Sequence, residues 1–126
     1  MKTFRIGKNE IDEFTAHYLI AALWTESDDD EVPLENNYDL DSFADCALQK
    51  AKEDCESFVK ENAENLARAG SDEQNGHDFW LTRNGSGVGF CDRGYGEVGD
   101  KLTEACCGKF KEIYLYVGDD GKLYFD

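Results

Sequence analysis

The stretch Tyr18-Leu19-Ile20-Ala21-Ala22-Leu23-Trp24 constrains this chain more than any other. It continues a helical spacing set by Ile11, Phe14, Tyr18 and Ala22, with Asn9 as the cap and Asp12 in the first turn. The spacing predicts a helix from about Glu10 to Trp24. Its second half is apolar on nearly every side, so other elements must enclose it. At 126 residues the chain is long enough for one such core, and residues 1–126 read as a single domain. Eight Phe, six Tyr and two Trp predict a core rich in aromatic rings.

A second stripe, from Leu40 through Phe43, Ala47, Leu48, Ala51, Cys55, Phe58, Val59 and Asn62 to Leu66, predicts a long helix that ends near Gly70. Asp39 or Asp41 would cap it. Pro33 and Asn36-Asn37 interrupt the segment between the two helices, which reads as an acidic surface loop over about 25–38.

Beyond Gly76 the period changes. Asp78–Arg83 and Ser86–Asp92 flank Asn84-Gly85, a dipeptide suited to a hairpin turn. In that register Leu81 faces Val88 and Phe79 faces Phe90, while Trp80 and Thr82 stand over Gly89 and Gly87. A short helix near Val98–Phe110 follows. Ile113–Val117 and Lys122–Phe125 flank Gly118-Asp119-Asp120-Gly121 and read as a second hairpin. The expected fold is α+β: two main helices and a short third helix packed on a small antiparallel sheet made of two β-hairpins. Residues 77–126 form its sheet-bearing half.

Net charge is −15, and nine acids with no base fall between Glu26 and Asp45. A field of that sign repels phosphates and attracts basic surfaces. Direct nucleic-acid binding is therefore disfavoured, and a basic protein is the expected partner. No apolar run is long enough to span a bilayer, and the amino-terminal residues show no secretory pattern, which predicts a cytoplasmic protein. Cys46, Cys55, Cys91, Cys106 and Cys107 have neither the paired spacing nor the histidine cluster of a zinc site. Reduced thiols are expected, with no metal and no cofactor. Asp28-Asp29-Asp30-Glu31 lacks the glycine and distal glutamate of a calcium loop, and 118–121 is a turn.

Three functional readings follow from the residues. Asp28, Asp29, Asp30, Glu31, Glu35, Asp39 and Asp41 would contact a basic partner. Alternatively, Trp80, Arg83, Arg93 and His77 would form a recognition face on the first hairpin, although pairing of Arg93 with Asp78, or of Arg83 with a carboxylate, competes with that use. A third reading draws a small hydrolase around His77 and Asp92, with Cys91 nearby. Adjacent His77 and Asp78 would point to opposite faces of a strand, which argues against it. The leading expectation is a non-enzymatic binding protein.

The segments HDFWLTRNGSGVGFCDRGYGEVGDKLTEA and LYVGDDGKLY resemble a small, functionally uncharacterised family encoded mostly by tailed bacteriophages and prophages. The resemblance covers about the last 50 residues strongly. It implies a histidine where Ser86 stands and a tryptophan where Cys91 stands, so Cys91 reads as a smaller replacement for a packed ring. It implies a phage origin and a host-cell cytoplasmic setting, but no activity. By analogy with other small acidic phage proteins, the carboxylates would occupy the DNA-binding surface of a host nuclease, restriction enzyme or CRISPR complex.

Overall fold

The computed structural model describes residues 2–85 and 89–126. The chain opens with a hairpin, β1 (Thr3–Ile6) and β2 (Asn9–Asp12), paired antiparallel with Ile6 opposite Asn9. Helix α1 (Glu13–Thr25) follows directly. The cap is Asp12, whose carboxylate accepts the Thr15 N–H at 2.9 Å, rather than Asn9. Asn9 is buried: its amide donates to Asp45 at 3.0 Å and accepts from Gln49 at 3.2 Å, tying the hairpin to the next long helix.

That helix, α2 (Asp45–Arg68), begins later than its apolar stripe, because Asp39 caps a separate 3-10 turn over Leu40–Ser42. Asn62 interrupts its backbone geometry (φ −125°, ψ 18°) and donates its side-chain amide to the Phe58 carbonyl at 2.9 Å. Most of the stripe is buried as the spacing requires, including Ala47, Leu48, Ala51, Cys55, Phe58 and Leu66.

The expected first hairpin is a helix. α3 (Asp72–Arg83) starts at Ser71, whose hydroxyl accepts the Gln74 N–H at 3.2 Å, with Asp72 and Glu73 in the first turn. Asn84 is its C-cap and Gly85, at φ +61°, takes the left-handed position that ends it. The same two residues that suit a hairpin turn therefore terminate a helix. Val88 and Gly87, the expected partners of Leu81 and Thr82, lie outside the described residues. Phe90–Asp92 forms a 3-10 turn instead of a strand. Gly89 does make a close approach, against Thr82 rather than Trp80: a methyl there would collide with the Thr82 hydroxyl, which accepts the Phe90 N–H at 3.1 Å.

Helix α4 (Glu97–Lys109) and the final hairpin, β3 (Leu115–Val117) with β4 (Leu123–Phe125), occur where the sequence places them. Tyr116 pairs with Tyr124. The molecule is α+β, and the described residues form four α-helices and two separate two-stranded antiparallel sheets in place of one four-stranded sheet.

α1 and α3 pack closely along their length because Gly76 lets α3 sit on the Phe14 carbonyl, where a methyl would collide. Tyr18, Leu19, Ala21, Ala22 and Leu23 are buried, but Ile20 and Trp24 emerge at 37% and 53% exposure, so enclosure of α1 is incomplete. Phe58 and Phe79 stack at 4.2 Å between ring centroids and join Phe14, Phe90 and Phe110 in one aromatic core. Among the described residues, no helix is long and apolar enough to cross a membrane.

Candidate functional site: an acidic cleft beside the last hairpin

The segment after α1 folds back on itself. Asp28 N donates to the Val32 carbonyl at 2.9 Å, and the Asp28 carboxylate accepts the N–H groups of Asp30 and Val32 at 2.8 and 3.0 Å. Glu31 adopts φ +64° at the tip of this turn. Asp28 thus shapes the loop, which leaves Asp29, Asp30 and Glu31 exposed.

This loop faces β3. Ser27, Asp28, Asp29, Asp30 and Tyr38 line one side of a cleft whose other side is Leu115, Tyr116 and Val117. Strand alternation buries Leu115 and turns Tyr116 outward, 48% exposed, where its ring stacks on Tyr124 at 5.7 Å. Tyr124 donates its hydroxyl to Asp120 at 2.6 Å, and that contact holds the Asp120 carboxyl below its usual range and pushes the phenol up to about 12. Asp119 and Asp120 extend the acidic rim along the hairpin turn.

Of the seven acids expected to bind, Asp28, Asp29 and Asp30 come together on the cleft. Glu35 sits on a 3-10 turn over Leu34–Asn36, whereas Asp41 is exposed on the separate turn over Leu40–Ser42, where Asp39 accepts its N–H at 3.0 Å. Glu31, Glu35, Asp39 and Asp41 do not line the cleft. Among the described residues, none of the seven forms an ion pair. The tyrosines were not singled out by the sequence reading. Their signal was the alternation of Tyr114 and Tyr116 with Leu115 on a short strand.

The structure corrects the alternative recognition face. Trp80 is fully buried, edge-on to Tyr18 at 5.3 Å, and donates its indole N–H to Thr25 at 2.7 Å. Arg83 is buried as well: Nη1 meets Asp54 at 2.6 Å and the Tyr18 hydroxyl at 3.0 Å, and Nε meets the Lys111 carbonyl at 2.6 Å. Burial works against its charge, but Tyr18 and Asp54 outweigh that cost and hold the guanidinium above its usual value. Arg93 grips the buried carboxylate of Asp78 through three contacts of 2.9–3.2 Å. Both arginines are spent on carboxylates, the competing use the sequence allowed.

His77 is half-buried, its ring against Trp24 at 5.6 Å and its Nδ1 3.9 Å from Asp78. The Asp92 carboxylate accepts the Gly89 N–H at 3.4 Å, and among the described residues no hydrogen bond or ion pair joins it to His77. Cys55 and Cys106 are buried, and burial pushes both thiols up, Cys106 to about 12. Cys91 is exposed on the 3-10 turn after Gly89.

The chain matches no family model, no curated protein and no solved structure.

Proposed function

We propose that this protein is a small, non-enzymatic acidic binding protein that engages a basic protein surface through the cleft between Asp28–Asp30 and Tyr116. One observation carries the reading: Asp28–Asp30, free of ion pairs among the described residues, face the exposed Tyr116 across a single cleft, and the Tyr116 ring is backed by Tyr124. Carboxylates attract a guanidinium or ammonium over a distance set by ionic strength, and a phenol face holds it once it arrives. Asp29 and Asp30 supply charge, Tyr116 and Tyr38 supply contact area, and Asp28 holds the loop in shape.

A finer version follows by analogy with other small acidic phage proteins. In it, the carboxylates occupy the nucleic-acid-binding surface of a host nuclease, restriction enzyme or CRISPR complex in the host cytoplasm. The chain itself would not bind nucleic acid.

A fluorescently labelled oligo-arginine peptide, followed by anisotropy at low and high salt, tests the proposal. Binding should weaken steeply with salt, and both the Asp29→Asn/Asp30→Asn double variant and Tyr116→Ala should reduce it. Binding that ignores salt, or survives neutralisation of both carboxylates unchanged, would overturn the reading.

A further inference from the structure

The two histidines of this chain, His17 and His77, are 60 residues apart in sequence, yet both line one cleft with Glu73, Gln74 and Arg93. Each lies four residues after a glutamate on its helix, as Glu13-x-x-x-His17 on α1 and Glu73-x-x-x-His77 on α3. Residues spaced by four share one helix face. The Gly76–Phe14 approach brings the two faces together. A carboxylate oxygen of Glu13, a ring nitrogen of His17 and a carboxylate oxygen of Glu73 all lie within 4.8 Å of one another. Among the described residues, His77 Nδ1 is buried without a hydrogen-bond partner, 3.9 Å from the Asp78 carboxylate.

We propose that Glu13, His17 and Glu73 form a binding site for a divalent transition-metal cation, zinc foremost. One imidazole and two carboxylates are a donor set that suits zinc and its neighbours better than magnesium or calcium, which favour oxygen alone. Metal–donor bonds of about 2 Å place donor atoms about 3.4 Å apart in a tetrahedral site. Glu73 is exposed, and rotation of its side chain closes the remaining gap.

The surrounding charge favours a cation. Glu13 and Glu73 bring two carboxylate groups beside one another, and like charges that close repel. A bound cation relieves that repulsion. Arg93, the positive group in the cleft, is neutralised by its paired contacts to Asp78. The bound metal would clamp the start of α1 to the start of α3. This site and the acidic cleft lie at opposite ends of α1, so each stands or falls without the other.

The test uses the whole protein, stripped with a chelator, its cysteines kept reduced, and titrated with zinc chloride in competition with a chromophoric chelator. One equivalent should bind, and the melting temperature should rise with it. Glu73→Gln, at an exposed position, should weaken binding at least about tenfold and abolish the thermal shift, and His17→Ala should do the same. Serine at the exposed thiols Cys46, Cys91 and Cys107 should leave the affinity unchanged. In NMR spectra zinc should shift the ring signals of His17. No binding, or binding lost with the cysteines and indifferent to Glu73→Gln, would overturn the proposal.

Discussion

Arg83 on α3 meets Asp54 on α2 at 2.6 Å, with the two side chains 3% and 13% exposed. This ion pair ties α3 to α2, with Lys50 adding a second, more exposed cation on Asp54 at 3.3 Å and Tyr18 of α1 closing Arg83 from a third side. A buried charge left without its partner is costly, whereas an apolar pair of similar volume is often neutral. Asp54→Ala should therefore destabilise the protein by about 3 kcal/mol in urea denaturation. Asp54→Leu combined with Arg83→Met should recover part of that loss. A single variant as stable as the wild type would contradict this account of the interior.

Helix α3 rests on α1 through Gly76. Gly76→Ala should cost about 3 kcal/mol, because its methyl meets the Phe14 backbone rather than a side chain that can move. If 77–83 were instead a strand of a solvated hairpin, alanine would be tolerated. Comparison of the two denaturation midpoints decides between them.

Trp80 gives a second test of the same point. Trp80→Ala should destabilise by about 3–5 kcal/mol, since the ring is wholly buried and its N–H is bonded to Thr25. A variant that keeps full stability while losing partner binding would restore the recognition face that the structure removes.

These tests concentrate on α3 because that is where sequence and structure part. Every turn of α3 contributes buried residues, from Asn75 and Gly76 through Asp78 to Leu81 and Arg83, so it carries no clean helical or strand period. Asn84-Gly85 then satisfies two grammars, a hairpin turn and a helix end, and only Ser71 with Asp72 and Glu73 argues for the second. The amino-terminal hairpin was hidden differently, since Asn9 looks like a cap while Asp12 does the capping. α2, α4 and the last hairpin were legible because their apolar residues follow one period and glycine marks the turn. In the site, the acids were legible as a charge run. Their meeting with Tyr116, and that of His17 with Glu73, depend on contacts between distant segments that no local pattern encodes.

Glu26, where α1 ends, carries a pH prediction. Burial, assisted by Glu112, holds its carboxyl above the usual range. The folded state therefore retains a proton that the unfolded chain releases, so this residue's contribution to stability falls as pH rises from the unfolded value, about 4.3, through the raised one. Glu26→Gln should raise the melting temperature at neutral pH. The gain should vanish below about pH 4, where both states are protonated. A gain that persists in acid would point to packing rather than titration.

The most direct test of the proposed function is a backbone-amide NMR titration of the intact protein with an oligo-arginine peptide. Shifts should concentrate at 27–30 and 115–117, on both walls of the cleft, and fade as salt is raised. Shifts spread over the exposed acids of α2 and α4, with those two segments unmoved, would contradict a cleft that gathers cationic partners.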